Sequence, residues 1–239
     1  MANSNQLREN LNQHIPKNTE SKRDDKILCQ AMTECAQYLN IRFAEYMQDY
    51  MLSFEKALSV ENIINLVKSA GIQKEYDTTF VKRELRPDGG VIFLHKKSDK
   101  EFLRIILISE AKKQGTNIQR KKEGKSRQAI GNAIERLGKN LIGVKTALNH
   151  EAITPFVCFG WGCDFEENYD SSSFTMSKIS ILNELYELNR TYVFKKDGAL
   201  GSNSFAPVSM YFREEPWTKD EMVKILREVG ETSLRYYLF

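Results

Sequence analysis

Residues Ile105-Ile106-Leu107-Ile108 form an unbroken apolar run that leads directly into Ser109-Glu110-Ala111-Lys112. A strand with one face in water alternates apolar and polar positions, whereas a uniformly apolar run belongs to a strand covered on both faces. Such a strand must lie inside a sheet with helices against it, which predicts an α/β architecture. The surrounding segments fit this frame. Strands are predicted over 80–85, 91–94 and 101–109, with turn chemistry at Pro87-Asp88-Gly89-Gly90 and a charged break at Lys96–Lys100, as in two successive hairpins. A further buried strand is expected over 155–159. Helical spacing of apolar residues is found over 25–51, after a capping Ser59 up to Gly71, over 126–148, and near 179–192 and 219–229. The whole reads as a mixed sheet flanked by helices.

The chain has 239 residues, enough for one full hydrophobic core, and one domain over 25–239 is expected behind a polar, mobile arm at 1–24. Cys29, Cys35, Cys158 and Cys163 show neither metal-site nor dense disulfide spacing, so free thiols in a reducing cytoplasm are expected. His14, His95 and His150 are scattered, and no zinc site is legible. No apolar stretch approaches the roughly 18 residues of a membrane span, so no membrane partner is expected. Net charge is only +3, but it is unevenly distributed. Between Lys112 and Arg127 seven basic residues, among them Lys113 and Lys125, face the single acid Glu123. The bland reading of that run is a solvated loop.

Asp88 sits in the turn before one predicted strand, and Glu110 sits at the end of its neighbour. The two can therefore converge although far apart in sequence. Side chains alternate along a strand, so Glu110 and Lys112 project from the same face and bring an ammonium to the same place. Two carboxylates with the Ala111 carbonyl are hard oxygen donors suited to Mg²⁺, and phosphodiester hydrolysis needs such charge together with a positioned water. Asp88, Glu110 and Lys112 are thus the candidate catalytic residues, with Asp88, Glu110 and Ala111 as candidate metal ligands. Lys112 can orient or deprotonate the water, or stabilise the transition state. Pro-Asp-Gly-Gly alone is also an ordinary turn, and Glu-x-Lys alone carries little information.

Three segments, Arg86-Pro87-Asp88-Gly89-Gly90, Glu110-Ala111-Lys112-x-Gln114-Gly115 and Gly131-Asn132-Ala133-Ile134-Glu135-Arg136-x-x-Lys139-Asn140, together resemble the EcoRI-type restriction endonucleases within the PD…(D/E)xK nuclease superfamily. Weaker echoes lie at Ile181-Leu182-Asn183 and Thr232-Ser233-Leu234-Arg235. The resemblance implies a restriction-endonuclease-like fold with a central five-stranded mixed sheet. It implies a homodimer that cuts both strands of palindromic double-stranded DNA in a Mg²⁺-dependent reaction leaving 5′-phosphates.

By the same resemblance, Asn132 and Arg136 would read bases in the major groove, with Glu135 orienting arginines. Ala129, Gly131 and Ala133 would lie at the DNA, and Lys113, Lys125 and Arg127 would contact phosphates. The implied core of the site is AATT. Where members of the family carry an arginine pair that reads the outer base pair, this chain has Glu184 and Glu187, so altered or absent reading of that pair is expected. A cognate DNA methyltransferase, not a bound subunit, would protect the host in a prokaryotic cytoplasm. The alternatives are a non-sequence-specific or structure-selective PD…(D/E)xK nuclease and a non-catalytic DNA-binding protein.

Overall fold

The computed structural model describes residues 19–69, 84–98, 102–113, 115, 117–126, 137, 140, 144, 153, 155–163, 192–194, 200–205 and 208–239. Helix α1 (Thr19–Arg42) leads to strand β1 (Tyr50–Glu55), the short β2 (Leu58–Ser59) and helix α2 (Val60–Ser69). Strands β3 (Glu84–Leu85), β4 (Gly90–Lys96) and β5 (Phe102–Lys113) follow, then a short helix α3 (Ile118–Lys122) and β6 (Phe156–Trp161). The chain closes with β7 (Tyr192–Phe194), β8 (Leu200–Phe205), β9 (Val208–Arg213) and helix α4 (Lys219–Leu238).

The main sheet has five strands in the order β1-β4-β5-β6-β9. β1 and β5 pair antiparallel with β4, while β6 pairs parallel with β5 and with β9. The sheet is mixed, and the apolar run forms its central strand, as its composition predicts. Ile105, Ile106, Leu107 and Ile108 are at most 1% exposed. Their partition between the faces is not simple alternation. Ile106 and Leu107 both join the cluster formed with α1 and α4, whereas Ile105 and Ile108 join the opposite cluster with Phe93, Leu137, Val144, Phe156 and Cys158. A register shift between Ile92 and Phe93 accounts for this, since their partners are Leu107 and Ile105 and Ile106 is skipped.

α1 and α4 cover one face of the sheet. Leu28, Met32, Cys35 and Leu39 of α1 pack with Met222, Val223, Leu226 and Leu234 of α4 over Ile92, Leu94, Val157 and Phe159. α4 begins with a full capping box. Thr218 Oγ1 accepts from the Glu221 N–H, and the Glu221 carboxylate accepts from the Thr218 N–H.

Several expectations need correction. Of the one or two helices expected over 25–51, one forms and ends at Arg42, and Tyr50–Glu55 is an edge strand whose exposed positions hide its pattern. Residues 1–18 lie outside the described residues, and α1 starts at Thr19, inside the segment assigned to the arm. Of the strand expected over 80–85 only Glu84–Leu85 lies within the described residues, and it pairs with β2 rather than with β4. α4 runs nine residues beyond Val229. The helix expected near 179–192 lies outside the described residues except Tyr192, which is in β7.

Candidate active site

Pairing of Gly90 with Ser109 sets the site. The turn before β4 is closed by a Gly90 N–H donating to the Pro87 carbonyl and a Gly89 N–H donating to the Ser109 carbonyl, each at 3.0 Å. Gly90 has φ +79°, a left-handed conformation that suits glycine. A Cβ on Gly89 would lie 2.7 Å from Leu28 and would overlap the Ser109 hydroxyl. The turn can press onto both α1 and β5 only because that position is bare. Asp88 is thereby carried to Glu110, 22 residues further along the chain, and its N–H donates to Glu110 Oε2 at 2.9 Å.

β5 continues four residues past Ser109, so Glu110, Ala111 and Lys112 are all strand residues. The expected alternation holds. Lys112 Nζ donates to Glu110 Oε1, to Asp88 Oδ2 at 2.8 Å and to the Ala111 carbonyl at 3.0 Å. The Glu110 side chain is 3% exposed and that of Asp88 33%, so the cluster opens to solvent on the Asp88 side. Asn140 Nδ2 donates to Glu110 Oε1 at 2.7 Å. From α1, the Cys29 thiol contacts the Asp88 carbonyl at 3.4 Å.

The electrostatics follow from burial and crowding. Burial raises the Glu110 carboxyl above its ordinary range, Asp88 adds to the rise, and Lys112 opposes it. Burial works against the Lys112 ammonium, but Glu110 and Asp88 outweigh it and hold its pKa above the ordinary value. Asp25 of α1 is also raised, first by burial and then by the Asp88 carboxylate. Burial likewise pushes the Cys158 thiol up beneath Glu110, and the Cys35 thiol up to about 12. All four cysteines are free, as expected.

Three oxygens, from Asp88, Glu110 and Ala111, therefore converge on one cationic nitrogen. They are hard donors, the kind that hold a divalent cation together with retained waters. Among the described residues no group of three or more His, Cys, Asp or Glu side chains is arranged to hold a metal.

The sequence model of the family described as "Restriction endonuclease EcoRI" matches residues 14–238. The chain belongs to the EcoRI restriction endonuclease family. It is 27% identical to the type II restriction enzyme RsrI of Cereibacter sphaeroides over 177 residues, 63% of each chain. It is 34% identical to the type II restriction enzyme EcoRI of Escherichia coli over 97 residues, 37% of this chain and 34% of that one. The matched segments thus span less than two thirds of either relative. The restriction-endonuclease-like fold of the EcoRI family agrees with the five-stranded mixed sheet and its helical flanks.

The base-reading residues implied by resemblance to that family, Gly131, Asn132, Ala133, Glu135 and Arg136, lie outside the described residues, as do Arg127, Ala129, Glu184 and Glu187. Lys113 is exposed at the end of β5, and Lys125 is exposed just beyond α3. The basic run is not uniformly free charge. Lys121 pairs with Glu214, and Lys125 pairs with Glu123 at 2.7 Å. The C-terminal echo lies on α4, where Ser233 and Leu234 are buried and Arg235 pairs with Glu231. No described helix is long and apolar enough to cross a membrane.

Sequence reading missed what α1 brings to the site. Nothing local marks Asp25 or Cys29, because their relevance comes from α1 meeting the turn at Gly89. Asn140 was legible only as part of a motif, although it follows Arg136 by four residues, one helical turn.

Proposed function

We propose that this chain is a type II site-specific deoxyribonuclease that cuts both strands of a palindromic duplex site by metal-dependent phosphodiester hydrolysis. The observation that carries the reading is the meeting of Asp88, Glu110, Lys112 and the Ala111 carbonyl at one point. Family membership and the type II restriction enzymes among its relatives support the same reaction class.

Asp88, Glu110 and the Ala111 carbonyl would hold Mg²⁺, which supplies positive charge to a phosphoryl oxygen and lowers the pKa of a bound water. The chain's own residues do the rest. Asp88, the more exposed acid, faces the solvent from which substrate arrives. Glu110 is fixed by three donors and gives the site a rigid anionic wall. Lys112, beside those oxygens, would orient or deprotonate the attacking water, or steady negative charge on the phosphate.

The rest of the proposal follows from the resemblance. One domain over 25–239 with its N-terminal arm acts as a homodimer, whose two-fold symmetry matches a palindromic site. Asn132, Glu135 and Arg136 read an AATT core, and Lys113, Lys125 and Arg127 hold phosphates. The products carry 5′-phosphates, and a separate methyltransferase protects the host's own DNA in a prokaryotic cytoplasm.

The deciding experiment is digestion of mixed-sequence duplex DNA in Mg²⁺ with sequencing of every new end. Ends that share an AATT core support the proposal and reveal the outer pair. Scattered ends reduce it to a nuclease without sequence choice, and an absence of new ends refutes catalysis.

A further inference from the structure

Lys112, Lys121, Lys125 and Lys219 each pair with a carboxylate. Lys26 and Lys56 differ from them. Both are exposed, and among the described residues neither makes an ion pair. The two line a cleft of about 540 Å³ between α1 and the end of β1, with Cys29, Thr33 and Phe54 on its walls. Lys219 also reaches this cleft, but it donates to Glu34 at 2.8 Å, so its charge is already matched.

The cleft lies against the turn that carries Asp88. On the β1 side, Lys56 follows Glu55, whose partner across the sheet is Val91, and a Cβ on Gly90 would lie 2.6 Å from the Glu55 carbonyl oxygen. On the α1 side, the Cys29 thiol contacts the Asp88 carbonyl at 3.4 Å, and Lys26 stands three residues before Cys29, a spacing that puts both on one side of the helix. Burial raises the Cys29 pKa and the Lys56 ammonium opposes the rise, so the Lys56 charge is felt at the group that touches this turn. In the sheet order β1-β4-β5-β6-β9 the acids sit at β4 and β5. Lys113, level with Trp161 of β6, lies to one side of them, and Lys56 lies to the other, at the end of β1. Neighbouring strands are only about 4.8 Å apart, so cations flank the acids closely on both sides.

We propose that Lys26 and Lys56 form a second phosphate site, which holds the DNA backbone phosphate next to the one being cut, on the β1 side of the acids. The inference rests on the nuclease reading and adds to it a place for the strand where it leaves the catalytic cluster. An ammonium is a compact charge with three donors, suited to the oxygens of a phosphate, and these two have no acid to satisfy within the described protein. A contact of this kind carries no sequence information but fixes where the strand lies. It also offsets, one nucleotide away, the repulsion between the acids and the phosphate that must meet them.

The test uses the full chain, the double variant Lys26→Gln with Lys56→Gln, and a second double variant, Lys26→Arg with Lys56→Arg, that keeps both charges. Affinity is measured in Ca²⁺ over a salt series on the duplex found by end sequencing. It is then measured on duplexes in which the phosphates around the cut are replaced one at a time by uncharged methylphosphonates. One phosphate contact contributes about 0.9 to the slope of log affinity against log salt, so the slope of the Gln variant should fall by about that amount and that of the Arg variant should not. A methylphosphonate beside the cut should weaken the parent and the Arg variant and leave the Gln variant unaffected. An unchanged slope in the Gln variant overturns the inference, as does a Gln variant weakened by every methylphosphonate that weakens the parent, or an Arg variant that behaves like the Gln one. These results leave the nuclease reading intact as long as the parent cuts; a parent chain that cuts no duplex overturns that reading and this inference with it.

Discussion

Glu110→Gln keeps the shape of the side chain, exchanges one oxygen for an amide nitrogen and removes one negative charge. In the protein Oε1 accepts from Lys112 and Asn140, and Oε2 accepts from the Asp88 N–H. A carboxamide has one acceptor oxygen, so whichever way it lies its NH₂ group faces an N–H. The least costly arrangement keeps the oxygen towards Lys112 and Asn140 and strands the Asp88 N–H, a loss of about 1–3 kcal/mol for an unsatisfied buried donor. Lys112 still has Asp88 as an anionic partner at 2.8 Å. A second effect has the opposite sign. Burial and Asp88 raise the Glu110 pKa, so the charged form is less welcome in the folded protein than in the unfolded chain, and neutral glutamine relieves that cost at pH 7. The two effects offset, and the net change in folding free energy is below about 2 kcal/mol. Cleavage has no such compensation. A metal-held charge contributes several kcal/mol to the transition state, and a loss of about 4 kcal/mol is about a thousandfold in rate. Urea denaturation, DNA binding in Ca²⁺ and single-turnover cleavage in Mg²⁺ on the same preparation separate the two outcomes. A folded, DNA-binding variant that cuts within tenfold of the parent would refute the site, and one that fails to fold would refute the energetic argument.

Lys112→Met leaves the Asp88 and Glu110 carboxyls facing each other with no ammonium between them. Breaking a buried pair costs about 3–5 kcal/mol, and the lower figure applies because Asp88 is partly solvated. The folded variant holds the Glu110 proton more tightly than the unfolded chain does, so its stability should fall as pH rises from the ordinary carboxylate range through the raised Glu110 value, as denaturation across a pH series would show. Gly89→Ala puts a methyl group 2.7 Å from Leu28 and onto the Ser109 hydroxyl, an overpacking cost of about 1–3 kcal/mol. Thermal melting should record it, and cleavage should fall as well because Asp88 moves with the turn. The Glu221 carboxyl is held down at about 2 by the Arg213 guanidinium and by Thr218, so the stability it contributes is present above the unfolded value of 4.5 and is lost as pH falls towards about 2. The gap in melting temperature between the parent and Glu221→Gln should close over that interval, and a gap independent of pH would count against the pairing.

The centre of the molecule could be read from the chain because its signals are local. Four apolar residues in a row specify a covered strand, and Pro-Asp-Gly-Gly specifies a turn. Side-chain alternation places Glu110 and Lys112 together whatever the rest of the fold does. β1 was missed because it is an edge strand, with Tyr50, Ser53 and Phe54 half-buried and Met51 and Glu55 exposed, and because Tyr46 and Met47 just before it extend the helical spacing of α1. The pairing of β3 with β2 depends on a contact between Ser59 and Glu84 that no local pattern encodes. The same holds for the outer parts of the site. Cys29 reaches Asp88 across 59 residues and Asn140 reaches Glu110 across 30, through the packing of α1 and of Leu137 and Val144 on opposite faces of the sheet. Sequence spacing reports what lies on one element, and these contacts lie between elements.

The balance of charge in the cluster bears on how a substrate could enter it. Asp88 and Glu110 converge on a single ammonium, and Asp25 stands close enough to Asp88 for the two carboxyls to repel. Two or three acids against one lysine leave a net negative site, and in a half-buried setting that charge is poorly screened. A phosphodiester is itself an anion, so the unaided cluster would repel it. The exposed basic residues beyond β5 attract the duplex as a whole, but they cannot reverse the sign of the field at the oxygens that must meet the scissile phosphate. A divalent cation on those same oxygens would reverse it. The proposed chemistry thus separates two electrostatic tasks: holding DNA, which the lysines can do without metal and which salt should weaken, and admitting one phosphate to the acids, which should depend on the cation. A chain in which Asp88→Asn and Glu110→Gln together strengthened DNA binding in the absence of metal would show that repulsion directly, and unchanged binding would mean that the phosphate does not approach this cluster.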